Sequence, residues 1–330
     1  MRRNKLNVGV IACSSIARRR FLPAVASLES LKIWRIGSRD INKAKNFAEI
    51  FAAPHFGTYE DVISDKSVDL VYISTPPHNH FELTEAALIA GKHVICEKPV
   101  AIDMASLIKL HGIALQNKLL FTEHYSFLYH PQHAAVKQLI ENGSIGKIQK
   151  FLGNYHYPMP RFDDIRLNPV INGGVCHDSL GYPILAGLFF SKEKPKSIAS
   201  SVIIHNALKV DTSCSFNIML EDLEISGEVA MGKEYASTYQ LIGTKGSIKV
   251  TRAYSVNEDY EPEILVNIDN NMTRYNCAKA NQISEFLKAF IENIKENFYG
   301  KKYNNKFYYH SLRLRNIQDA VIKDSLKFYK

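Results

Sequence analysis

The chain has 330 residues, 46 % hydrophobic and 22 % charged, with a formal net charge of +8. That length exceeds one small core and suits two domains, and the composition is that of an ordinary soluble globular protein. With no run of eighteen apolar residues a membrane helix is not expected, and five widely spaced cysteines (Cys13, Cys96, Cys176, Cys214, Cys277) without a CxxC pair suggest neither a disulfide framework nor a zinc site.

In chain order, the first 124 residues alternate strand-like and helix-like runs. "LNVGVIA" (6–12) reads as a first strand, and the basic residues ahead of it lead into no cleavage region, so a cytoplasmic protein is expected. "SIARRRFLPAVASL" (15–28) reads as a helix that Pro23 should bend or split. Then come a strand at "KIWRIGS" (32–38), a helix at "INKAKNFAEIFA" (41–52), a strand at "VDLVYIST" (68–75) and a helix at "NHFELTEAALIAG" (79–91). "KHVICEK" (92–98) and "KLLFTEH" (118–124) are two more strands around the helical "DMASLIKLHGIALQN" (103–117). The alternation predicts a doubly wound parallel sheet, whose ligands sit at the carboxyl ends of its strands. Thr75, Pro76, Pro77, Glu97 and Lys98 fall at such ends, and Lys98–Pro99 is a candidate cis bond.

After residue 125 the pattern changes. A helix is expected at "QHAAVKQLIENG", a strand at "GKIQKFLGNYHY", an irregular stretch to Gly174 and a helix over about 175–190. Alternating runs such as "SCSFNIML", "EISGEVAM", "STYQLIG" and "GSIKVTR" predict a mostly antiparallel sheet, with Thr244-Lys245 in a hairpin turn. Two closing segments, "ISEFLKAFIENIKEN" and "HSLRLRNIQDAVIKDSLKFY", are helical by periodicity. The expected division is 1–124 for a dinucleotide-binding domain and 125–330 for a substrate-binding and oligomerisation domain.

Where a dinucleotide-binding turn would carry G-x-G-x-x-A, the chain has Ala12, Ser14 and Ala17. These small residues still allow a pyrophosphate to approach a helix N-terminus, and Ser14 or Ser15 can donate or cap. A positive φ at position 12 or 14 is costly without glycine, and a merely tight turn is the competing reading. At the second strand's end, "IGSRD" places Ser38 and Arg39 where an acid would hold a ribose hydroxyl. A hydroxyl followed by a guanidinium suits a 2′-phosphate, so NADP(H) is expected, NADPH over NADH. A surface arginine at a helix start is the alternative.

"VGVIACSSIA", "STPPHNHFELTEAALIAGKHVICEKPVA" and "GGVCHDSLGYPI" resemble the glucose–fructose oxidoreductase / inositol dehydrogenase / rhizopine-catabolism (Gfo/Idh/MocA) family of NAD(P)-dependent oxidoreductases. "SFLYHPQH", "DIRLNP" and "GYPILAGLFF" resemble its NADPH-dependent sugar C-3 ketoreductases, which act on nucleotide-linked deoxysugars. The resemblance implies an α/β protein: an N-terminal Rossmann doubly wound parallel sheet, then an α+β domain with a large, mostly antiparallel open sheet. It implies cofactor binding by Ala12, Cys13, Ser14, Ser15, Ile16, Ser38, Arg39, Thr75, Pro76, His80, Glu97 and Lys98. It carries the family's catalytic lysine onto Lys98 and its D-x-G-x-(Tyr/His) motif onto Asp178 and Tyr182. The family's glycines are replaced at Asn172 and Leu180, on the substrate side.

Ketone reduction needs a hydride donor, a proton donor and charge stabilisation. Tyr182 is the candidate acid, and the Lys98 ammonium its electrostatic partner, since a phenol with a pKa of ~10 loses its proton more readily near a cation. Asp178, one helical turn earlier on a continuous helix, would hold a sugar hydroxyl, with Arg166 contacting sugar or diphosphate and His177 either an auxiliary donor or a packing residue. His130-x-x-His133 lacks partner carboxylates, so no metal is expected. The partners expected are a sugar, nucleotide-linked in the leading reading, and further copies of the chain in a homodimer or homotetramer, with no nucleic acid and no membrane. The competing functions are a dehydrogenase of a free sugar, inositol or trans-dihydrodiol, and a non-catalytic dinucleotide-binding regulator.

Overall fold

The computed structural model describes residues 5–299 and 303–328, and the chain divides into two compact units. The first unit is Met1–Tyr125 with Ile283–Leu312; the second is Ser126–Gln282 with Arg313–Lys330. The first division falls one residue from the expected cut, but the segment 283–312 returns to the first unit.

The first unit holds a six-stranded sheet: β1 (Leu6–Ile11), β2 (Leu31–Gly37), β3 (His55–Gly57), β4 (Leu70–Ile73), β5 (His93–Cys96) and β6 (Phe121–Glu123). The order is β3-β2-β1-β4-β5-β6, and every pairing is parallel. The connections carry α1 (Leu22–Ala26), α2 (Ile41–Ile50), α3 (Tyr59–Ser64), α4 (His80–Ile89) and α5 (Met104–Gln116). β4 and β5 are buried nearly throughout, as strands covered on both faces must be, and a core of Ile73, Val94, Cys96, Leu107, Leu110 and Phe121 lies between sheet and helices.

The helix expected to bend or split at Pro23 is not split: it runs unbroken over residues 15–26. Residues Ala17–Phe21 widen into a π turn ahead of α1, which makes room for the proline ring and its missing N–H. β3 and α3 have no counterpart among the expected elements, although Thr58 and Asp61 form a capping box at the start of α3, a signal legible in "TYED".

The second unit opens with α6 (Pro131–Glu141) and builds an eight-stranded sheet. Its strands are β7 (Ile148–Tyr157), β8 (Ser197–Ile204), β9 (Asp211–Met219), β10 (Glu224–Met231), β11 (Ala236–Gly243), β12 (Ser247–Val250), β13 (Glu263–Ile268) and β14 (Asn271–Asn276). The order is β14-β13-β12-β11-β7-β10-β9-β8, antiparallel except where β10 pairs with β7. Two short helices precede β8: α7 (Val175–Asp178) and α8 (Gly181–Leu188). They replace the single helix expected over 175–190. Pro183 gives the reason: its ring excludes the carbonyl four residues back, at Ser179, so the chain breaks there and restarts with the proline in the first turn of α8.

The β11–β12 hairpin turns at Thr244-Lys245, closed by the Gly243 N–H donating to the Gly246 carbonyl at 2.9 Å. β14 is exposed along its whole length and has no alternation for a sequence reading to detect. α9 (Gln282–Tyr299) and α10 (Tyr308–Ser325) close the chain, and the division between units falls within α10. The final Tyr329 of the expected last helix lies outside the described residues.

Candidate active site

In the first unit the strand order reverses between β1 and β4, which opens a crevice at their carboxyl ends. A cleft of about 520 Å³ lies there, lined by Ala12, Cys13 and Ser14 after β1, Ser38 and Arg39 after β2, and Pro76 after β4. Asp40, Lys43, Tyr59 and Ser74 complete it. Lys43 and Tyr59 were not among the expected residues, because nothing local in the sequence marks a first-turn helix lysine or a distant tyrosine as facing a ligand.

Ala12 stands at φ +82, the region that usually takes glycine, so the turn keeps the glycine-type backbone despite the substitution. Ser14 caps the following helix: its Oγ accepts from the Ala17 N–H at 3.1 Å and donates to Ser74 Oγ at 2.7 Å. Ser15 and Ile16 are exposed on the first helical turn and do not line the cleft. Ser38 is buried, with its Oγ accepting from the Asp40 N–H at 3.1 Å. Burial pushes the Cys13 thiol up, opposed by its hydrogen bond with Ser38 and by the Lys43 charge. Burial likewise raises the Tyr59 phenol, opposed by Arg39, which also hydrogen-bonds it. The cleft thus offers two cations, three serine hydroxyls and a phenol beside a glycine-type turn, with its one carboxylate, Asp40, engaged in capping α2, a donor set that fits an anionic phosphate.

Around the end of β5 the site is built on Glu97. Its Oε1 accepts from the Tyr72 hydroxyl at 2.7 Å and from His124 Nδ1 at 2.7 Å. Burial pushes the carboxyl up, but His124, Tyr72 and the Lys98 charge together hold it below its ordinary value, so Glu97 is ionised. Tyr72 is stacked on Phe21 with centroids 3.5 Å apart, which fixes the phenol that Glu97 uses. Lys98 follows on a cis bond to Pro99 and is half-buried.

His80 is buried with Nδ1 2.8 Å from the Pro99 carbonyl oxygen and Nε2 2.7 Å from that of Thr75. The ring therefore ties the loop after β4 to the loop carrying Lys98. A neutral ring has one N–H for these two carbonyls; burial lowers its pKa, and the carbonyls oppose that shift. Thr75 is buried, and its Oγ1 has no hydrogen-bond partner among the described residues. Thr75, His80, Glu97 and Lys98 are not among the residues lining the cleft.

In the second unit the irregular stretch before α7 brings Arg166 to Asp178. Arg166 Nε lies 3.1 Å from Asp178 Oδ2, Nη1 lies 3.4 Å from Asp164 Oδ2, and the guanidinium carbon is 5.4 Å from the Tyr157 ring centroid. Burial lowers the Arg166 pKa, but the two carboxylates outweigh it and the net shift is upward. Asp178 Oδ2 also accepts from the Tyr157 hydroxyl at 3.2 Å and the Ser179 hydroxyl at 3.0 Å.

The helix break corrects one expectation here. Asp178 ends α7 and Tyr182 belongs to α8, so the two do not share the face of one continuous helix. Tyr182 is half-buried in an aromatic group, its centroid 5.0 Å from Tyr155, 5.6 Å from Phe127 and 5.9 Å from Tyr254. Leu180, which replaces a family glycine, is fully buried. Asn172 replaces another and takes the left-handed conformation at φ +59, which asparagine tolerates better than most residues. His177 is half-buried, its pKa lowered by burial, and its Nδ1 has no partner among the described residues. His133 is committed to packing, with Nδ1 3.0 Å from Tyr239 Oη and Nε2 3.2 Å from the Ala253 carbonyl, and His130 Nδ1 accepts from the Gln132 N–H at 3.2 Å.

Comparison with known proteins places this geometry. Residues 6–125 match the model described as "Oxidoreductase family, NAD-binding Rossmann fold", and residues 133–249 match the "GFO/IDH/MocA C-terminal domain". The chain is 30 % identical over 322 residues to the dTDP-3,4-didehydro-2,6-dideoxy-alpha-D-glucose 3-reductase of Actinomadura kijaniata, covering 96 % of this chain and 95 % of the relative. It is 31 % identical over 294 residues to the enzyme of the same name from Streptomyces violaceoruber, covering 88 % and 85 %. A solved structure of KijD10, a 3-ketoreductase from Actinomadura kijaniata in complex with NADP and TDP-benzene, matches with TM-score 0.89 at 27 % identity, covering 97 % of this chain and 98 % of that one. Similar structures include a tyrosine-to-phenylalanine and a lysine-to-alanine mutant of that protein.

Proposed function

The chain belongs to the GFO/IDH/MocA oxidoreductase family, and from that membership we propose that it is an NADPH-dependent reductase of a keto-sugar carried on a nucleotide. The observation that carries the cofactor reading is the pair Arg39 and Lys43 beside Ser38 in the cleft after β2. The substrate reading rests on the near full-length similarity to reductases of a dTDP-linked deoxysugar. Arg39, Lys43 and Ser38 would hold the 2′-phosphate, and the Ala12–Ser14 turn the pyrophosphate. When bound, NADPH supplies the hydride.

The protein's own part is charge and proton placement. Tyr182 gives the proton to the carbonyl oxygen, and Lys98 is the electrostatic partner, the roles that the family resemblance implies. His80 positions the Lys98 loop through its two carbonyl contacts. Arg166, already held by Asp178 and Asp164, is suited to a sugar or diphosphate oxygen, and Asp178 to a sugar hydroxyl. Cofactor binding is assigned to 1–124 and substrate binding with oligomerisation to 125–330, in a cytoplasmic homodimer or homotetramer. Among the described residues no helix is long and apolar enough to cross a membrane.

The deciding experiment has two stages. A fluorescence titration compares NADPH with NADH, and NADPH oxidation is then followed with a TDP-linked 3-keto deoxysugar. Preference for NADPH together with turnover, lost in Tyr182→Phe while NADPH affinity holds, is the expected result. Turnover only with free sugars or trans-dihydrodiols would move the substrate to the dehydrogenase reading. Cofactor binding indifferent to Tyr182→Phe, with no turnover of any substrate, would favour a regulator.

A further inference from the structure

The segment that carries Lys98 is gripped at both ends by side chains from the end of the neighbouring strand. β5 and β6 pair with Cys96 opposite Glu123, and the His124 N–H donates to the Cys96 carbonyl at 2.8 Å. Glu123, the last residue of β6, and His124 after it therefore stand beside Glu97–Val100 where that segment leaves the sheet. His124 takes the near end, with Nδ1 2.7 Å from Glu97 Oε1. Glu123 takes the far end: its Oε1 accepts from the Val100 N–H at 3.1 Å. Its Oε2 accepts from the Ser311 hydroxyl at 3.0 Å, in the first turn of α10.

Val100 is 1 % exposed, so its N–H has no bulk water to turn to, and Pro99 before it has no N–H at all. The carboxylate arms serve Val100 and Ser311 at once, which only a side chain with two acceptor oxygens can do. Ser311 is itself buried, so the rotamer of Glu123 is fixed from behind while its other oxygen holds the loop. Between the two grips, the Pro99 carbonyl meets His80 Nδ1 at 2.8 Å. The Lys98 ammonium sits at the end of a four-carbon stem, so a small backbone rotation between Glu97 and Val100 is magnified at the nitrogen. Misplacing a reacting group by about 1 Å can cost ~100-fold in rate.

We infer that Glu123 is a positioning residue for the reduction: by accepting from the Val100 N–H, with Ser311 fixing its own rotamer, it sets the place of Lys98 in the reaction. The inference rests on the reading of Lys98 as the electrostatic partner of the proton donor. The role requires an acceptor oxygen at Val100 and does not require the charge of Glu123.

The test is single-turnover NADPH oxidation by the full chain with a TDP-linked 3-keto deoxysugar, in Glu123→Met, Glu123→Gln and Ser311→Ala, with Lys98→Met as the reference for loss of the ammonium. Methionine keeps the bulk and offers no oxygen; glutamine keeps an oxygen for Val100 and an amide for Ser311 Oγ. Glu123→Met should slow turnover ~10- to 100-fold, with sugar KM and NADPH affinity changed by less than about 3-fold. Glu123→Gln should return the rate to within about 5-fold of the unaltered protein, and Ser311→Ala should fall between the two. Ser311→Ala and Glu123→Gln keep the test decisive if Glu123→Met does not fold. Unaltered rates in Glu123→Met and Ser311→Ala, with Lys98→Met inactive, would overturn this inference and leave the reading of Lys98 standing. A Glu123→Gln variant as slow as Glu123→Met would also overturn it, since charge would then be the requirement. Full turnover in Lys98→Met, or none in the unaltered protein, would sink the reading of the site and this inference with it.

Discussion

Replacing Glu97 by glutamine removes a charge and little else. The amide oxygen can still accept from Tyr72 and His124, both of which reach the same Oε1 at 2.7 Å. What is lost is the charge assistance: bonds to ionised groups contribute about 1.5–3 kcal/mol each against about 0.5–1.5 for neutral ones. Two such bonds give a loss of about 2 kcal/mol, moderated because the carboxylate side chain is 17 % exposed. For a unit of this size that corresponds to a fall of roughly 4–8 °C in the first thermal transition at pH 7.

The pH dependence follows from the sign of the shift. The folded-state pKa of Glu97 lies below its ordinary 4.5, so its contribution is present above that value and is lost as pH falls through the folded-state pKa. The gap between Glu97→Gln and the unaltered protein should therefore be full at pH 7 and close steadily below about pH 4. Calorimetry or circular dichroism melts across pH 3.5–7.5 measure both arms. A variant melting within ~1 °C of the unaltered protein at pH 7, or a gap that widens on acidification, would refute the assignment of an ionised Glu97 at this strand end.

Arg39→Ala and Lys43→Ala should each weaken NADPH binding about 10- to 100-fold, as expected for a charge-assisted phosphate contact, and leave NADH binding nearly unchanged. Nicotinamide fluorescence titrations with both cofactors read this directly. Arg166→Met frees Asp178 and Asp164 from their cation, and KM for a nucleotide-linked keto-sugar should rise ~10-fold or more with NADPH affinity intact. Ala12→Val places a β-branched residue at φ +82 and should cost about 1–3 kcal/mol, visible as a lower melting temperature and weaker NADPH binding. Ala12→Gly should leave the melting temperature within ~2 °C, since relief of about 1–2 kcal/mol of strain is offset by the lost buried methyl and glycine's larger unfolded-state entropy.

What was legible in the chain was whatever neighbouring residues decide among themselves. Buried strands β4 and β5 stand out as short apolar runs, and "INKAKNFAEI" carries both its helical period and its Asp40 cap. The positions of Lys98, Ser38 and Arg39 at strand ends follow from the same alternation. Even the disturbance of helical geometry ahead of Pro23 and the cost of a non-glycine residue at position 12 are local consequences of backbone sterics.

Tertiary structure decided what depends on residues far apart in sequence. Lys43 and Tyr59 share a cleft with Ala12 because β1, β2 and β3 lie side by side, and no period in the sequence encodes that adjacency. His80 joins Thr75 to Pro99, and Arg166 reaches Asp178 across an irregular stretch with no hydrophobic pattern to read. The parallel pairing of β7 with β10, in a sheet otherwise antiparallel, places partners more than 70 residues apart and depends on the whole set of strands competing for edges. Pattern fixes which face of an element is apolar; only packing of the complete chain, where each buried polar group must find a partner, determines which elements meet and which side chains converge.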